Sequence, residues 1–441
     1  MLNRLIWSRL SDTERQRALA RPADRPEPMQ AAGDIINAVR ARGETAVREY
    51  AEQLDGWAPD SLRVSETEMR QAETGLDAGD REAILSAAAA VRAFHARQGL
   101  SDCVVEHWPG ARAERRVSPI DVAGLYVPAG TAPLVSTLIM LAVPAQLAGV
   151  PRIAVIVPPR RGEGVEPTVL AAARLLGLDE VYAVGGAHGV AALAFGAAGL
   201  PKADKIFGPG NAYVAAAKAL LSLEPGGPAT DLPAGPSEVM VIVDDAADPE
   251  LAAADLLSQA EHDVLAQVLI VAQSDAWLDR LEASLRDQLC RLPRSETAAA
   301  ALANSRAVLT EGLSEAVDVA NAYAPEHLII QTAEPRALLG FIRHAGSVFL
   351  GPWTPEAAGD YAAGPNHALP TAGAARAFGG VTVESFQKTS TVLEINARGA
   401  AAIAETVERL AALEGLDAHR TAMAMRRERA EALLGEGERE G

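Results

Sequence analysis

The sequence predicts an α/β protein with two runs of parallel strands, separated by a linker and flanked by helices. Its 441 residues exceed what one hydrophobic core usually serves, so at least two packed units are expected. Short apolar segments alternate with helical patterns from residue 152 onward, which indicates a parallel sheet with crossover helices. The same alternation resumes after residue 238 and predicts a second α/β run.

Both ends of the chain are predicted to be helical. In the first hundred residues, apolar residues recur at helical spacing over 35–54, and Asp80 is placed to cap a second helix. The tail from residue 401 is predicted as two amphipathic helices with a break at Gly415. The most apolar stretch, 134–150, is too short and too interrupted by polar residues to span a bilayer, so a buried helix is expected there.

Strands and helices alternate through the middle of the chain. Residues 153–159 form a short apolar run that ends in prolines, which is typical of a strand buried on both faces. The first run continues with strands at 181–184 and 205–207 and with helices at 167–176, 190–197 and 212–221. Residues 225–238 are dense in proline and glycine and predict a linker. The second run has strands at 239–243, 268–272 and near residues 328 and 348, and helices at 249–260 and 313–322.

The composition argues against several classes of protein. Hydrophobic residues make up 49% and charged residues 22% of the chain, as in an ordinary soluble globular protein. The formal net charge of −18 would repel the phosphates of nucleic acids and of anionic membranes, so neither partner is expected. Two cysteines cannot form a disulfide framework and no export signal is read at the N-terminus, so we expect a reduced, cytoplasmic setting.

Two pairs of polar residues are candidates for chemistry. Gln259 and His262 stand three residues apart at the end of a predicted helix, so both side chains leave from one face and can share a metal ion such as Zn²⁺. Glu326 and His327 lead directly into a predicted strand, where a carboxylate and an imidazole can act as general base and acid. Each pair alone also fits a structural role, as a solvated helix face or a surface charge pair.

Two further segments hold isolated acidic and histidine side chains. The glycine- and proline-rich residues 355–371 contain Asp360 and His367, which is typical of a binding loop, although a turn capped by Asp360 also fits. Glu414 and His419 flank the predicted helix break in the tail. Taken singly, these two residues fit solvated groups on a terminal helix.

Two glycine-rich segments lie between a predicted strand and a predicted helix. They are VGGAHG at 184–189 and GPGNAY at 208–213, where backbone amides and a helix N-terminus can receive phosphate. Neither segment completes the G-x-G-x-x-G fingerprint of a dinucleotide-binding turn. A dinucleotide is plausible on this basis, but the glycines alone do not identify it.

Seven motifs, in order, resemble those of the histidinol dehydrogenase family, and the resemblance runs from about residue 30 to about residue 428. The motifs are GLYVPAGTAPL (from Gly124), DKIFGPGNAYV (from Asp204), DLPAGPSEV (from Asp231), SQAEHD (from Ser258), APEHL (from Ala324), AGDYAAGPNHALPT (from Ala358) and EGLDAHR (from Glu414). Most of them are rich in glycine, proline or histidine. Together they are far more specific than any one of them.

The resemblance implies a fold of two incomplete Rossmann-like units with small helical parts at both ends, and an intertwined homodimer. The division we predict is a helical arm at 1–22, a first α/β unit with the metal site at 23–130 and 237–380, a second α/β unit on the dinucleotide side at 131–236, and a C-terminal part at 381–441 that reaches the partner subunit.

The resemblance also implies an NAD-linked enzyme with one Zn²⁺ per subunit. Such an enzyme oxidises L-histidinol to L-histidinal and then to L-histidine with two NAD⁺, which are the last steps of histidine biosynthesis. By similarity, Gln259, His262 and Asp360 would ligate zinc, and His419 would complete the site from the other subunit. Glu326 and His327 match the acid–base pair. Further matches are the substrate contacts Ser237, Gln259, His262, His327, Asp360, Glu414 and His419, and the NAD contacts Tyr126, His188 and Asn211.

A water nucleophile is expected for the oxidation of the aldehyde. His327 can take the hydroxyl proton as hydride leaves, and Glu326 can then activate water. Neither Cys103 nor Cys290 lies in a motif that would activate a thiol.

Two positions on the predicted nucleotide side depart from the family. The family usually has glutamine where this chain has His188, and usually a glycine where Ala129 stands. A histidine can still donate a hydrogen bond, although it can alter NAD affinity or make it sensitive to pH. Alanine is unfavourable only if its position requires a positive φ.

Two alternatives stay open at this point. One is a related zinc and NAD dehydrogenase that acts on another small alcohol, such as a sulfonated diol. Glu414 speaks against it, because a carboxylate suits a cationic amine and repels a sulfonate. The other is a zinc- or nucleotide-binding protein without catalysis, which the presence of both Glu326 and His327 disfavours.

Overall fold

The fold is given by a computed structural model that describes residues 2–22, 27–129, 133–233 and 235–437. Part of two motifs, residues 130–132 and residue 234, lies outside the described residues. The predicted α/β architecture is confirmed. The chain forms two compact units, one from residues 1–98 and 120–386 and the other from residues 99–119 and 387–441.

The strands and helices of the described residues follow in chain order. The strands are β1 (Asn3–Ile6), β2 (Cys103–Trp108), β3 (Ala111–Pro119), β4 (Val122–Tyr126), β5 (Arg152–Val157), β6 (Val181–Ala183), β7 (Lys205–Phe207), β8 (Ala229–Thr230), β9 (Glu238–Val243), β10 (Gln267–Ala272), β11 (Arg306–Leu309), β12 (His327–Gln331), β13 (Ser347–Leu350) and β14 (Gln387–Ile395). The α-helices are α1 (Asp12–Ala18), α2 (Glu27–Arg42), α3 (Glu44–Tyr50), α4 (Glu66–Gly75), α5 (Ala78–His95), α6 (Val135–Ala148), α7 (Pro167–Leu175), α8 (Gly186–Phe195), α9 (Ala212–Ser222), α10 (Pro249–Ala260), α11 (Asp275–Leu289), α12 (Ser295–Ala303), α13 (Leu313–Tyr323), α14 (Pro335–Leu339), α15 (Glu356–Tyr361), α16 (Ala397–Leu413) and α17 (Asp417–Gly437). Among the described helices, none has the length and the apolar character that crossing a bilayer requires.

Two parallel sheets form the first unit. The six-stranded sheet has the order β1-β11-β10-β9-β12-β13, and the five-stranded sheet has the order β6-β5-β4-β7-β8. If the edge strand β1 is left out, the strands of each sheet, numbered in chain order, lie in the order 3-2-1-4-5. The full Rossmann sheet has the order 3-2-1-4-5-6, so within the described residues each sheet lacks the sixth strand. The two incomplete Rossmann-like sheets are therefore confirmed.

Helix α6 confirms the buried helix that was expected in the most apolar stretch. All residues from Thr137 to Ala145 are buried, because α6 packs against β4 as well as against α5 and α7. Pro144 lies inside this helix and cannot donate to the carbonyl of Met140 one turn earlier. The side-chain amide of Asn366 donates to that carbonyl instead, at 2.6 Å.

The helices of the first hundred residues pack against the five-stranded sheet. Ile35 and Val47 share a buried cluster with Tyr182 and Leu193 of that sheet and its helices. The structure therefore differs from the predicted division, which assigned β4 and α2 to α5 to the first α/β unit at 23–130. A hydrophobic pattern shows that one face of a helix is buried, but it does not show which sheet covers that face.

The N-terminal arm, predicted as helical, also contributes a strand. β1 pairs in parallel with β11 and becomes the edge of the six-stranded sheet. The cap of α5 differs as well, because the side chain of Asp77, not Asp80, accepts a hydrogen bond from the N–H of Gly79 at 2.7 Å.

The second unit combines a small antiparallel sheet with the two predicted tail helices. Its sheet has the order β14-β3-β2, so the hairpin of residues 103–119 joins the C-terminal part. The helices α16 and α17 are separated at Gly415, where φ is +70°, as the sequence predicts.

Candidate active site

The predicted acid–base pair lies at the amino end of β12, and both side chains are buried. β12 runs parallel to β9, whose first residue, Glu238, contacts both members of the pair through its backbone. Its N–H donates to Oε2 of Glu326 at 2.9 Å, and its carbonyl oxygen lies 3.3 Å from Nδ1 of His327. Two neighbouring strands thus position the pair.

The contact to Glu238 decides which nitrogen of His327 can accept a proton. A carbonyl oxygen only accepts hydrogen bonds, so Nδ1 carries the proton and Nε2 has a lone pair. Burial lowers the pKa of His327 to about 3, so the ring is neutral near pH 7. Nε2 is buried without a hydrogen-bond partner among the described residues, 3.8 Å from Oδ1 of Asp360. His327 is therefore arranged to take a proton from a ligand.

Glu326 lies where its carboxyl group binds a proton tightly. Burial, together with the negative charges of Glu238 and Asp360, raises the pKa of Glu326 well above its usual range. An ionised carboxylate with a raised pKa binds a proton more tightly than a solvated one, so it deprotonates water more readily. Its Oε2 lies 3.6 Å from Nδ1 of His327.

A cluster of metal-type ligands lies beside the pair. One ligand atom each of His262, Glu356 and Asp360 lie within 4.8 Å of one another. Burial raises the pKa of Asp360 to about 7 and, with repulsion from neighbouring carboxylates, raises the pKa of Glu356 well above its usual range. Carboxyl groups crowded in this way are stabilised by a cation. The structure thus brings His262 and Asp360 together, as a shared metal ion requires.

Two helices position these ligands. α15 carries Glu356 and Asp360 four residues apart, so both side chains leave from one face. α10, which contacts α15, carries Gln259 in its last turn, and His262 follows two residues after the helix ends at Ala260. His367 supports the end of α15, because its Nδ1 donates to the carbonyl oxygen of Asp360 at 3.0 Å.

The donor set fits a zinc ion. Gln259 is fully buried, and neither atom of its amide has a hydrogen-bond partner among the described residues. Such an amide is costly unless something outside the chain binds it. Imidazole and carboxylate are regular zinc ligands, and an amide oxygen can join them. Gln259, His262 and Asp360 are therefore suited to hold zinc.

Two of the residues predicted to contact NAD lie at the carboxyl edge of the five-stranded sheet. The strand order reverses there between β4 and β7, and open parallel sheets bind ligands at such a switch point. Tyr126 ends β4 and is buried, and Asn211 caps α9 by accepting from two backbone N–H groups at 3.1 Å. Ala129, nearby in the chain, is not among the described non-glycine residues with positive φ, which are Ala198, Ala324 and Ala372. The NAD contacts themselves remain a prediction.

His188, the third predicted NAD contact, is fully buried on α8. Its Nε2 lies 3.1 Å from Oδ2 of Asp55, which also accepts from the N–H of Gly185 at 3.3 Å. The backbone of Gly186 hydrogen-bonds the hydroxyl of Tyr126, whose pKa is raised to about 12 by burial. His188 thus belongs to a network around the turn at Gly185 and Gly186.

The remaining predicted residues are Ser237, Glu414 and His419. Ser237 directly precedes Glu238, and its carbonyl oxygen accepts from the N–H of Gln267 at 3.2 Å. Glu414 and His419 belong to the second unit, where Glu414 ends α16 and His419 lies exposed on α17. Their role in a shared site remains a prediction.

Two residues of the site were not predicted from the sequence. Glu356 could have been found, because a carboxylate four residues before Asp360 lies on the same face of a helix. Glu238 acts through its backbone, for which the sequence carries no signal.

Comparisons with known proteins identify the family of this chain. A family model described as histidinol dehydrogenase matches residues 20–427. The chain belongs to the histidinol dehydrogenase family. Histidinol dehydrogenase from Xanthomonas euvesicatoria pv. vesicatoria is 47% identical over 425 residues, which cover 96% of this chain and 98% of the relative. The enzyme of that name from Colwellia psychrerythraea is 43% identical, with 97% and 99% covered.

A solved structure supports the same family. The crystal structure of histidinol dehydrogenase from Elizabethkingia anophelis has a TM-score of 0.91 and 37% identity, and the match covers 96% of this chain and 98% of that one. Histidinol dehydrogenases are NAD-dependent oxidoreductases of histidine biosynthesis, so the chain is an enzyme of this kind. The resemblance predicted from the seven motifs is confirmed, and a sulfonated diol as substrate is not favoured.

Proposed function

We propose that this chain oxidises L-histidinol to L-histidinal and then to L-histidine, with two NAD⁺ and one Zn²⁺ per subunit. One observation carries the proposal. A buried carboxylate and an imidazole with a free Nε2 lie beside a cluster of ligands suited to zinc. Acid–base chemistry on an alcohol and its aldehyde needs this combination.

Gln259, His262 and Asp360 would hold the zinc, and His419 of the partner subunit would complete its ligand set. When bound, zinc orients the amine and imidazole of the substrate, and NAD⁺ accepts a hydride in each oxidation. The unpartnered amide of Gln259 supports the first part of this assignment.

His327 serves the first oxidation. Its free Nε2 accepts the hydroxyl proton of the alcohol while the C–H electron pair leaves as hydride, which forms the aldehyde. The proton on Nδ1 stays with the carbonyl oxygen of Glu238, so the ring keeps its orientation as it becomes charged.

Glu326 serves the second oxidation. Its carboxylate takes a proton from water, the hydroxide oxygen attacks the aldehyde carbon, and the protonated His327 returns its proton to the aldehyde oxygen, which gives a diol. Loss of hydride from the same carbon, with loss of a hydroxyl proton to His327, gives the acid. A water nucleophile fits the two cysteines, because Cys103 and Cys290 are exposed and neither lies in the ligand cluster.

The remaining predicted residues complete the proposal. Ser237 and Glu414 would contact the substrate, and the carboxylate of Glu414 suits a cationic amine. Tyr126, His188 and Asn211 would form the NAD side of the site. We also propose a homodimer with shared sites and a cytoplasmic setting, which the free, exposed cysteines support.

The test counts NADH per histidinol. The wild-type enzyme should form two NADH, and Glu326→Gln should form one and release histidinal, because the general base for water is lost. The rate of aldehyde oxidation should fall roughly 10²- to 10⁴-fold. The matched control is Glu334→Gln, at an exposed position on the N-cap of α14, which should keep two NADH. No NADH from the wild type with histidinol, or two NADH from Glu326→Gln at the wild-type rate, would contradict the proposal.

A further inference from the structure

We propose that Arg21 is a positioning residue for the acid–base pair, although it comes from the N-terminal arm. It fixes the side chain of Glu238, whose backbone in turn holds Glu326 and His327. The inference rests on the proposed function of the pair and adds to it a residue that touches neither substrate nor cofactor.

The contact between Arg21 and Glu238 is a two-pronged ion pair. Nε of Arg21 lies 2.6 Å from Oε2, and Nη2 lies 2.8 Å from Oε1. The side chain of Glu238 is almost fully buried, whereas that of Arg21 is about a quarter exposed, at 23%. Bidentate pairs between guanidinium and carboxylate fix geometry as well as charge, which a lysine cannot do.

Tyr323 holds both partners. The guanidinium of Arg21 stacks on its ring at 3.9 Å and donates to its carbonyl oxygen at 2.8 Å. The tyrosine hydroxyl lies 2.9 Å from Oε2 of Glu238 and 2.8 Å from Oε1 of Gln267. We call Arg21, Glu238 and Tyr323 the arginine clamp. The buried charge of Glu238 is thus paired and hydrogen-bonded, which is the condition for burying it.

The clamp contacts the acid–base pair through the backbone of Glu238. The N–H of Glu238 is bonded to one member of the pair and its carbonyl oxygen to the other, and only the side chain of the same residue separates these groups from Arg21. Without Arg21, the buried carboxylate of Glu238 would lose its charged partner. The uncompensated charge would then favour a shift of Glu238, and with it of the backbone groups that hold Glu326 and His327.

The arm does not need Arg21 to stay in place. β1 pairs along its length with β11, Arg4 forms ion pairs with three acidic residues of α11, and Gln267 donates to the carbonyl oxygen of Ala20 at 3.1 Å. The arm is therefore held at other points, and the contact of Arg21 with Glu238 points to the active site.

The test compares Arg21→Gln and Arg21→Lys in the full-length enzyme loaded with zinc. Arg21→Gln should lower kcat roughly 10- to 100-fold, as expected when catalytic groups are misplaced by about 1 Å. KM for histidinol and NAD⁺ should stay within about twofold of wild type, because substrate binding is unchanged, and the zinc content should remain one per subunit. Arg21→Lys keeps the positive charge but cannot form the bidentate contact with Glu238, so its kcat should lie between those of Arg21→Gln and the wild type.

The matched control is Arg15→Gln, in the same arm. The guanidinium of Arg15 donates to the carbonyl oxygen of Trp7, stacks on its ring and lies 4.0 Å from Oδ1 of Asp12, all within the arm, so its loss should change the thermal midpoint but not kcat. If Arg21→Gln does not fold, Tyr323→Phe replaces it, because this variant keeps the ring and removes one donor to Glu238. It should lower kcat by a smaller factor with KM unchanged.

The proposal is overturned if folded Arg21→Gln keeps kcat within about twofold of wild type, or if the whole loss lies in KM or zinc content. Equal kcat values for Tyr323→Phe and wild type would overturn it in the same way if that variant has to be used. A failure of the proposed function has a different signature, because the wild-type enzyme itself would then not form NADH from histidinol.

Discussion

Lys218 and Asp231 form a buried ion pair that holds both backbone polar groups of Gly208. The ammonium of Lys218 donates to the carbonyl oxygen of Gly208 at 2.9 Å, and Oδ2 of Asp231 accepts from its N–H at 2.7 Å. Gly208 has a φ of +112°, and a Cβ atom there would lie 2.1 Å from the carbonyl oxygen of Tyr126. The turn between β7 and α9, which leads to Asn211, is therefore held in place by the ion pair of Lys218 and Asp231.

We expect Lys218→Met to weaken NAD binding more than histidinol binding. The variant leaves Asp231 buried and unpaired, which typically costs about 3–5 kcal/mol of folding stability. The released turn should raise the Kd of NAD⁺ roughly tenfold, or by about 1.4 kcal/mol, while KM for histidinol stays near its wild-type value. Calorimetry and steady-state kinetics measure the two quantities. Lys202→Met, at an exposed position, is the control, and an unchanged Kd for NAD⁺ in folded Lys218→Met would contradict the role of this pair.

Much of the fold could be predicted because its signals are local. Apolar runs bounded by proline and glycine located β5, β7 and β9, and the apolar stretch at 134–150 located α6. The helix that carries Gln259 was located as well, although α10 ends at Ala260 and His262 lies in the turn beyond it. Patterns of this kind depend only on neighbours in the chain.

The contacts that could not be predicted join distant parts of the chain. Residues 103–119 lie more than 260 residues before β14, with which β3 pairs, and no local pattern records that pairing. Arg21 and Glu238 are separated by 217 residues, and an arginine in an arm is ordinarily a solvated residue. The location of Glu326 and His327 at the amino end of β12 also departs from the usual site of open parallel sheets, which is the carboxyl edge.

The second prediction concerns His188, which is fully buried on α8. His188→Leu removes the partner of the Asp55 carboxylate and should destabilise the turn at Gly185, because a buried acceptor is then left with one donor. We expect a loss of about 1–3 kcal/mol in folding stability and weaker NAD binding. His188→Gln should retain most of both, since its amide can donate to Asp55. Denaturant unfolding and NAD titration measure the two effects, and equal values for the two variants would show that the hydrogen bond has no role.

The third prediction uses the buried carboxyl of Asp255, which accepts a hydrogen bond from Gln331 at 2.6 Å. Burial raises its pKa from 3.8 to about 6, so the folded state favours the protonated form. Ionisation therefore costs stability as the pH rises from about 4, and the full cost is present above about pH 6. Asp255→Asn removes this cost and keeps an acceptor for Gln331. It should stabilise the protein at pH 8 by at most about 3 kcal/mol and have little effect at pH 4.

Thermal unfolding of the zinc-loaded protein at several pH values measures this difference. Asp318→Asn, on the exposed face of α13, is the control for the loss of one carboxyl group. A constant difference between Asp255→Asn and wild type from pH 4 to pH 8 would show that the carboxyl does not titrate in this range.

The fourth prediction tests whether one site takes residues from two subunits. His419→Asn should lower zinc content and activity, because it removes the proposed ligand from the partner subunit. Glu326→Ala should be inactive in the second oxidation because it lacks the general base for water. In a hybrid dimer of the two variants, one site has Glu326 from the first chain and His419 from the second, so it is complete, and the other site lacks both.

Refolding the two variants together in equal amounts should therefore restore histidine formation at about one quarter of the wild-type rate, since half of the dimers are hybrids with one complete site each. If His419 instead served the site of its own chain, each site of the hybrid would lack one residue and no activity would return. No activity would return either if the two variants did not form hybrid dimers. The two chains must therefore carry different tags and be purified together, so that the assay contains hybrid dimers. Hybrids that are recovered intact but remain inactive would exclude a site shared through His419.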